Sequence, residues 1–173
     1  MAGDIKLKYL ASVSLVSSGL NSLAASSSRL AGYETNAVDV GAYSGGPPND
    51  MLLSARFTAA SANAQVGYID VWVIPCLNDT PTWPDVFDGT ASAETATSAN
   101  VLQNCGVLAA SLAADATNSR VYEMAAVSVA SLFGGVLPDQ FVVFVAHNIE
   151  TTTNAWHSSG HEVWYTPVLA QYT

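Results

Sequence analysis

VGYIDVWVIP, residues 66–75, is the clearest strand in the chain and the stretch on which the fold turns. β-Branched and aromatic residues dominate it, and Pro75 closes it. Period-two alternation sets Ile69, Val71 and Val73 on one face, with Tyr68, Asp70, Trp72 and Ile74 on the other. By that alternation Asp70 points outward beside Trp72. QFVVFVAHN, residues 140–148, repeats the pattern, with Val143 and Val145 opposed to Val142 and Phe144. Segments 4–10, 52–60, 65–77, 121–130, 141–147 and 162–171 all read as strands. Between them lie turn-forming stretches at 41–50, 78–85, 87–92, 116–119, 133–140 and 151–160, rich in Gly, Pro, Asn and Asp. Many short strands with such loops predict an all-β, single-domain β-sandwich of jelly-roll type.

Residues 93–114 are the ambiguous part. SANVLQNCGVLAASLAAD allows a turn or two of helix, with Val101, Cys105 and Leu108 on one stripe, but Gly106 and the small residues oppose a long one. No repeat and no linker divides the chain, so it reads as one domain over 1–173, with residues 1–10 as an extended arm.

Composition narrows the function classes. The chain has 173 residues, 50% of them hydrophobic and only 11% charged, against about 25% in an average globular protein. Ala, Ser and Thr supply 59 residues, and the hydroxyls of Ser and Thr rather than charges must face water. The net charge is −9, and Lys6, Lys8, Arg29, Arg56 and Arg120 are the five cations. Five scattered cations build no basic stripe, so neither nucleic acid nor an anionic membrane is an expected partner. The stretch after Lys8 is interrupted by serines, Gly19 and Asn21 and is too polar for a signal-peptide core. No run of about 20 apolar residues is present to cross a bilayer as a helix. Cys76 and Cys105 could close a disulfide loop, but buried thiols in a reducing compartment are the simpler expectation.

A search for chemistry finds little. His157 and His161 stand four apart beside Glu162, but Ser158, Ser159 and Gly160 make that segment a loop, so exposed loop histidines are the expectation. His147 ends a strand. No GxSxG elbow, phosphate loop or CxxC occurs. Asn78, Asp79, Asp85 and Asp88 lack calcium-loop spacing and read as a solvated Asp/Pro loop. No catalytic residue, metal or cofactor is therefore expected. The residues that invite a partner are aromatic: Trp83 and Phe87 beside Asp85 and Asp88, and Trp156 beside His157, as loops able to stack on sugars or enter a pocket.

DIKLKYL at 4–10, VDVGAY at 38–43, YIDVWVIPCLND at 68–79 and PDVFDGT at 84–90 carry a resemblance, together with SVASLFGGVLPDQFVVFVAHNIE at 128–150 and HEVWYTPVLAQY at 161–172. In these stretches the chain resembles small virion proteins of tailed bacteriophages. The resemblance implies a capsid cement or decoration protein, with a tail or fibre module binding host glycans as the alternative. It implies the major capsid protein as partner and self-assembly as a trimer or dimer. It also implies a place on the virion surface after assembly in the host cytoplasm. The arm residues Asp4, Ile5, Lys6, Leu7, Lys8 and Tyr9 are the expected contacts, adding a strand to a neighbour's sheet edge.

Overall fold

The computed structural model describes residues 5–16, 18–43, 46–150 and 156–172. Among them run β1 (Ile5–Tyr9), β2 (Val13–Val16), β3 (Ala31–Glu34), β4 (Val38–Asp39), β5 (Asp50–Thr58) and β6 (Gly67–Pro75). There follow β7 (Ser92–Thr95), α1 (Ala99–Cys105), β8 (Val107–Ala114), β9 (Val121–Ser128), α2 (Val129–Leu132), β10 (Gln140–His147) and β11 (Glu162–Tyr172). Every strand pairing is antiparallel. One sheet has the order β1-β11-β5-β9, with β2 on the same side of β11 as β1. The other has the order β7-β3-β10-β6-β8, with β4 continuing the line of β3 along β10. The chain passes back and forth between them, so that β1/β2, β11, β5 and β9 face β3/β4, β10, β6 and β8. That is jelly-roll connectivity, with β7 added at one edge.

Alternation built this core. Ile69, Val71 and Val73 of β6 meet Met51, Leu53 and Phe57 of β5 and Phe141, Val143 and Val145 of β10 between the sheets, all fully buried. The outer face of the second sheet is buried as well. Trp72, Ile74, Val142 and Phe144 pack there under Leu102 of α1, Phe87 and Ala96. β10 is therefore covered on both faces, which is why it reads as an unbroken apolar run.

This second layer corrects the expectation for Asp70. It lies on the outer face, as alternation required, but that face is roofed, and Asp70 is only 6% exposed. Its carboxylate pairs with Arg29 Nε at 2.8 Å and accepts the Ser111 hydroxyl. A buried carboxylate needs such partners, and Arg29 comes from a turn 41 positions away in sequence.

Within 93–114 the helix is α1 alone, about two turns as expected, and residues 107–114 form a strand paired with β6. The strand read over 121–130 stops at Ser128, whose hydroxyl caps α2 by accepting the Ser131 N–H.

Gly32 marks the tightest approach within the second sheet. A Cβ there would sit 2.3 Å from the Val145 carbonyl oxygen and 2.7 Å from the Phe144 ring. Gly32→Ala is therefore expected to push β3 from β10 and destabilise by about 3 kcal/mol, read by denaturant unfolding. A change below about 0.5 kcal/mol would show that the two strands part freely.

Candidate functional site

The N-terminal segment is tied down within its own chain. Ile5–Tyr9 pair with Tyr172–Val168 of β11, so this stretch is not a free arm, and Asp4 lies outside the described residues. The pairing is reinforced where the strand ends. Leu10 N–H donates to the Pro167 carbonyl at 3.0 Å, and the Ser12 and Thr166 hydroxyls bond at 2.7 Å. All five residues of β1 are exposed, although Val168 of β11, opposite Tyr9, is buried. Ile5, Leu7 and Tyr9 share one face and are 62%, 62% and 59% exposed. Lys6 and Lys8 occupy the other face. β1 keeps one edge unpaired among the described residues. Exposed apolar side chains, two of the five cations and an open strand edge thus meet in one place.

The aromatic loops are built differently from the expectation. Phe87 is buried, its ring edge-on to Phe144 at 5.3 Å. Trp83 is half-buried over Gly89, where φ is +81° and a Cβ would come within 2.8 Å of the indole nitrogen. Asp85 and Asp88 remain exposed, but both shape the chain. Asp85 accepts the Thr97 N–H and hydroxyl, and Asp88 accepts the Thr90 N–H at 2.8 Å. Beneath them lies Glu34, fully buried, whose Oε1 accepts the N–H groups of Asp88 at 3.2 Å and Gly89 at 2.8 Å. Burial pushes the Glu34 carboxyl up to about 7, against the pull of those two donors. Nothing in the sequence marked Glu34, because its partners are backbone groups more than 50 residues away.

Trp156 is a core residue, which corrects its reading as a surface contact. It is 2% exposed and stacks on His147 at 4.2 Å and Phe57 at 5.2 Å, with the His161 ring tilted beside it at 4.4 Å. His161 is equally buried, not a loop histidine in water. Its Nε2 donates to the His157 carbonyl at 2.8 Å, and its Nδ1 accepts the Thr58 N–H at 3.4 Å. His147 Nε2 donates to the Leu23 carbonyl at 3.2 Å. Burial pushes His147 down to about 4 and lowers His161, so both rings are neutral at pH 7. Backbone bonds from Trp156 N–H to the Leu23 carbonyl and from Ser22 N–H to the His157 carbonyl stitch this plug to the 20–26 segment. His157 stays near the surface, its Nδ1 accepting the Ser159 N–H at 3.2 Å.

Cys76 and Cys105 are free and half-buried, and burial raises the Cys105 thiol further. Among the described residues no group of three or more His, Cys, Asp or Glu side chains is placed to hold a metal ion. Among them, too, no helix is long and apolar enough to cross a membrane. The β1–β11 ribbon is where the exposed Ile5, Leu7 and Tyr9 gather beside Lys6 and Lys8. No family model, curated protein or solved structure matches the chain.

Proposed function

We propose that this chain is a structural protein of a tailed-phage particle, a cement or decoration protein that binds the outer surface of the major capsid protein and stabilises the shell. The observation that carries this reading is the β1–β11 ribbon. Burying Ile5, Leu7 and Tyr9 in a neighbour would remove three largely exposed apolar side chains from water, at roughly 1.5–3 kcal/mol each when fully covered. Lys6 and Lys8 favour an acidic rim on that neighbour, and the open edge of β1 supplies backbone bonds. The chain as a whole, at net charge −9, repels packaged nucleic acid, which fits the outside of a shell. The resemblance of its motifs to virion proteins points the same way. The alternative, a tail or fibre module that grips host glycans, loses its main aromatic contacts, since Trp156 and Phe87 belong to the protein's own core.

Leu7→Glu tests the reading. Leu7 is exposed, so the variant should melt within about 0.5 kcal/mol of the parent. Binding to shells that lack the protein should fall at least about tenfold, the effect of losing about 1.4 kcal/mol. Undiminished occupancy of shells by Leu7→Glu would remove the ribbon from the interface.

A further inference from the structure

On the outer face of the second sheet a pocket of about 70 Å³ opens between β6, α1 and the 26–30 turn. Asp70 and Trp72 line it from β6, Ser28 and Arg29 from the turn, and Gln103 from α1. The turn is pinned to the sheet. Ser26 N–H donates to the His147 carbonyl at 2.8 Å, and the Ser26 hydroxyl accepts the N–H groups of Leu30 and Ala31 at 3.2 Å. Arg29 closes this turn with φ +55°, a left-handed conformation that glycine, asparagine and aspartate enter far more readily.

The side chain of Arg29 is held as firmly as its backbone. Its Nε is taken by the buried Asp70, whose other oxygen accepts the Ser111 hydroxyl. Its guanidinium lies over the ring of Tyr68, 5.2 Å from the centroid, and Tyr68 is 47% exposed. The Nε bond already answers the needs of Asp70. The two terminal NH2 groups of Arg29 bond to no protein group among the described residues. Trp72, another wall of the pocket, is 9% exposed, and its buried indole N–H has no acceptor. Buried donors are ordinarily paired. A single water needs about 10–15 Å³, so this pocket has room for several oxygen atoms.

Charge decides what those oxygens belong to. Of the residues lining the pocket only Arg29 and Asp70 ionise, so it carries no net charge. An anion would meet the nearby Asp70 carboxylate and the field of a chain at −9. A cation would meet Arg29, with both Asp70 oxygens already in use. A neutral molecule rich in hydroxyls avoids both penalties.

We propose that this pocket binds a neutral sugar by one pair of adjacent ring hydroxyls. The NH2 groups of Arg29 donate to the two hydroxyl oxygens, a task suited to a rigid fork of donors. The Gln103 amide and the Ser28 hydroxyl accept the sugar's own protons. The exposed part of the Tyr68 ring offers the apolar surface against which a sugar's C–H face lies. Asp70 touches no ligand and is a positioning residue, because it fixes the guanidinium. β1 belongs to the other sheet, so this site stands whether or not the chain decorates a shell.

The test titrates the purified full chain with glucose, galactose and mannose, each to about 50 mM, and follows the arginine Nε–H signals by NMR. Arg29, Arg56 and Arg120 are the only arginines, so three signals report. With at least one sugar the Arg29 signal should move saturably, at a Kd of about 1–10 mM, while the other two stay in place. Glucuronate and acetate should bind at least about tenfold more weakly than the best sugar. Gln103→Ala and Tyr68→Ala change exposed side chains, so both should melt like the parent. Each should weaken sugar binding at least about fivefold. No saturable shift with any of the three sugars overturns the proposal. So does glucuronate or acetate binding within about tenfold of the best sugar, which would make this an anion site. Sugar binding that both variants leave untouched overturns it too.

Discussion

Trp156→Ala is expected to destabilise the protein by about 4 kcal/mol, the range for emptying a large aromatic site in a core. The indole fills the space among Phe57, His147 and His161, and it is 2% exposed. No smaller residue can restore those three contacts, and the two imidazoles would lose the apolar wall that keeps them dry. For a chain of this length the midpoint of melting should fall by on the order of 10 °C at pH 7.5. A partner-binding tryptophan would behave differently: its alanine variant would melt like the parent and fail only in binding. A shift below about 2 °C would therefore place Trp156 outside the core plug.

Glu34→Gln should stabilise the protein, and only above acid pH. The Glu34 carboxyl has its pKa raised from 4.5 to about 7 in the folded protein, so folding favours its protonated form. Its contribution is full below pH 4.5 and is lost as pH rises through 7, where a charge must sit in a site with no exposure. Glutamine keeps the oxygen that accepts the Asp88 and Gly89 N–H groups and never ionises. At pH 8 the variant should melt about 5 °C higher, with the gain shrinking to nothing near pH 5.

The buried histidines have the opposite sign. His147, lowered from 6.5 to about 4, takes stability away as pH falls between those values, and His161 acts in the same direction. Glu150, raised by burial, opposes them as Glu34 does. Removing Glu34 from that balance should leave a steeper acid loss between pH 6.5 and 4. A pH-independent difference between Glu34→Gln and the parent would contradict this assignment.

The six strands read from the sequence all occur, because each carries β-branched or aromatic residues at period two. β3 and β7, AGYE and SAET, offered no such signal. They exist because β10 and β3 present edges to them, a tertiary cause that local propensity does not record. β8 has an alanine-rich sequence that suits a helix, and its pairing with β6 overrides that preference.

The site was legible in part. IKLKY showed its alternation, and the ribbon keeps it exposed, but the strand's partner in β11 lies at the other end of the chain. Asp70, Trp156 and His161 were misplaced for one shared reason. Alternation and loop composition report direction relative to a single strand, whereas burial was decided by a second layer. That layer consists of α1 with the Phe87 loop on one side and the 156–161 plug on the other. Glu34 and Arg29 belong to it through contacts that no local pattern contains.

The measurement that bears most directly on a shell role is the copy number of this protein in purified particles, by quantitative mass spectrometry against the major capsid protein. A cement protein gives a ratio near one to one, or a simple fraction set by the local symmetry axes. Its complete absence from particles, or only a few copies in each, would contradict a shell-stabilising function.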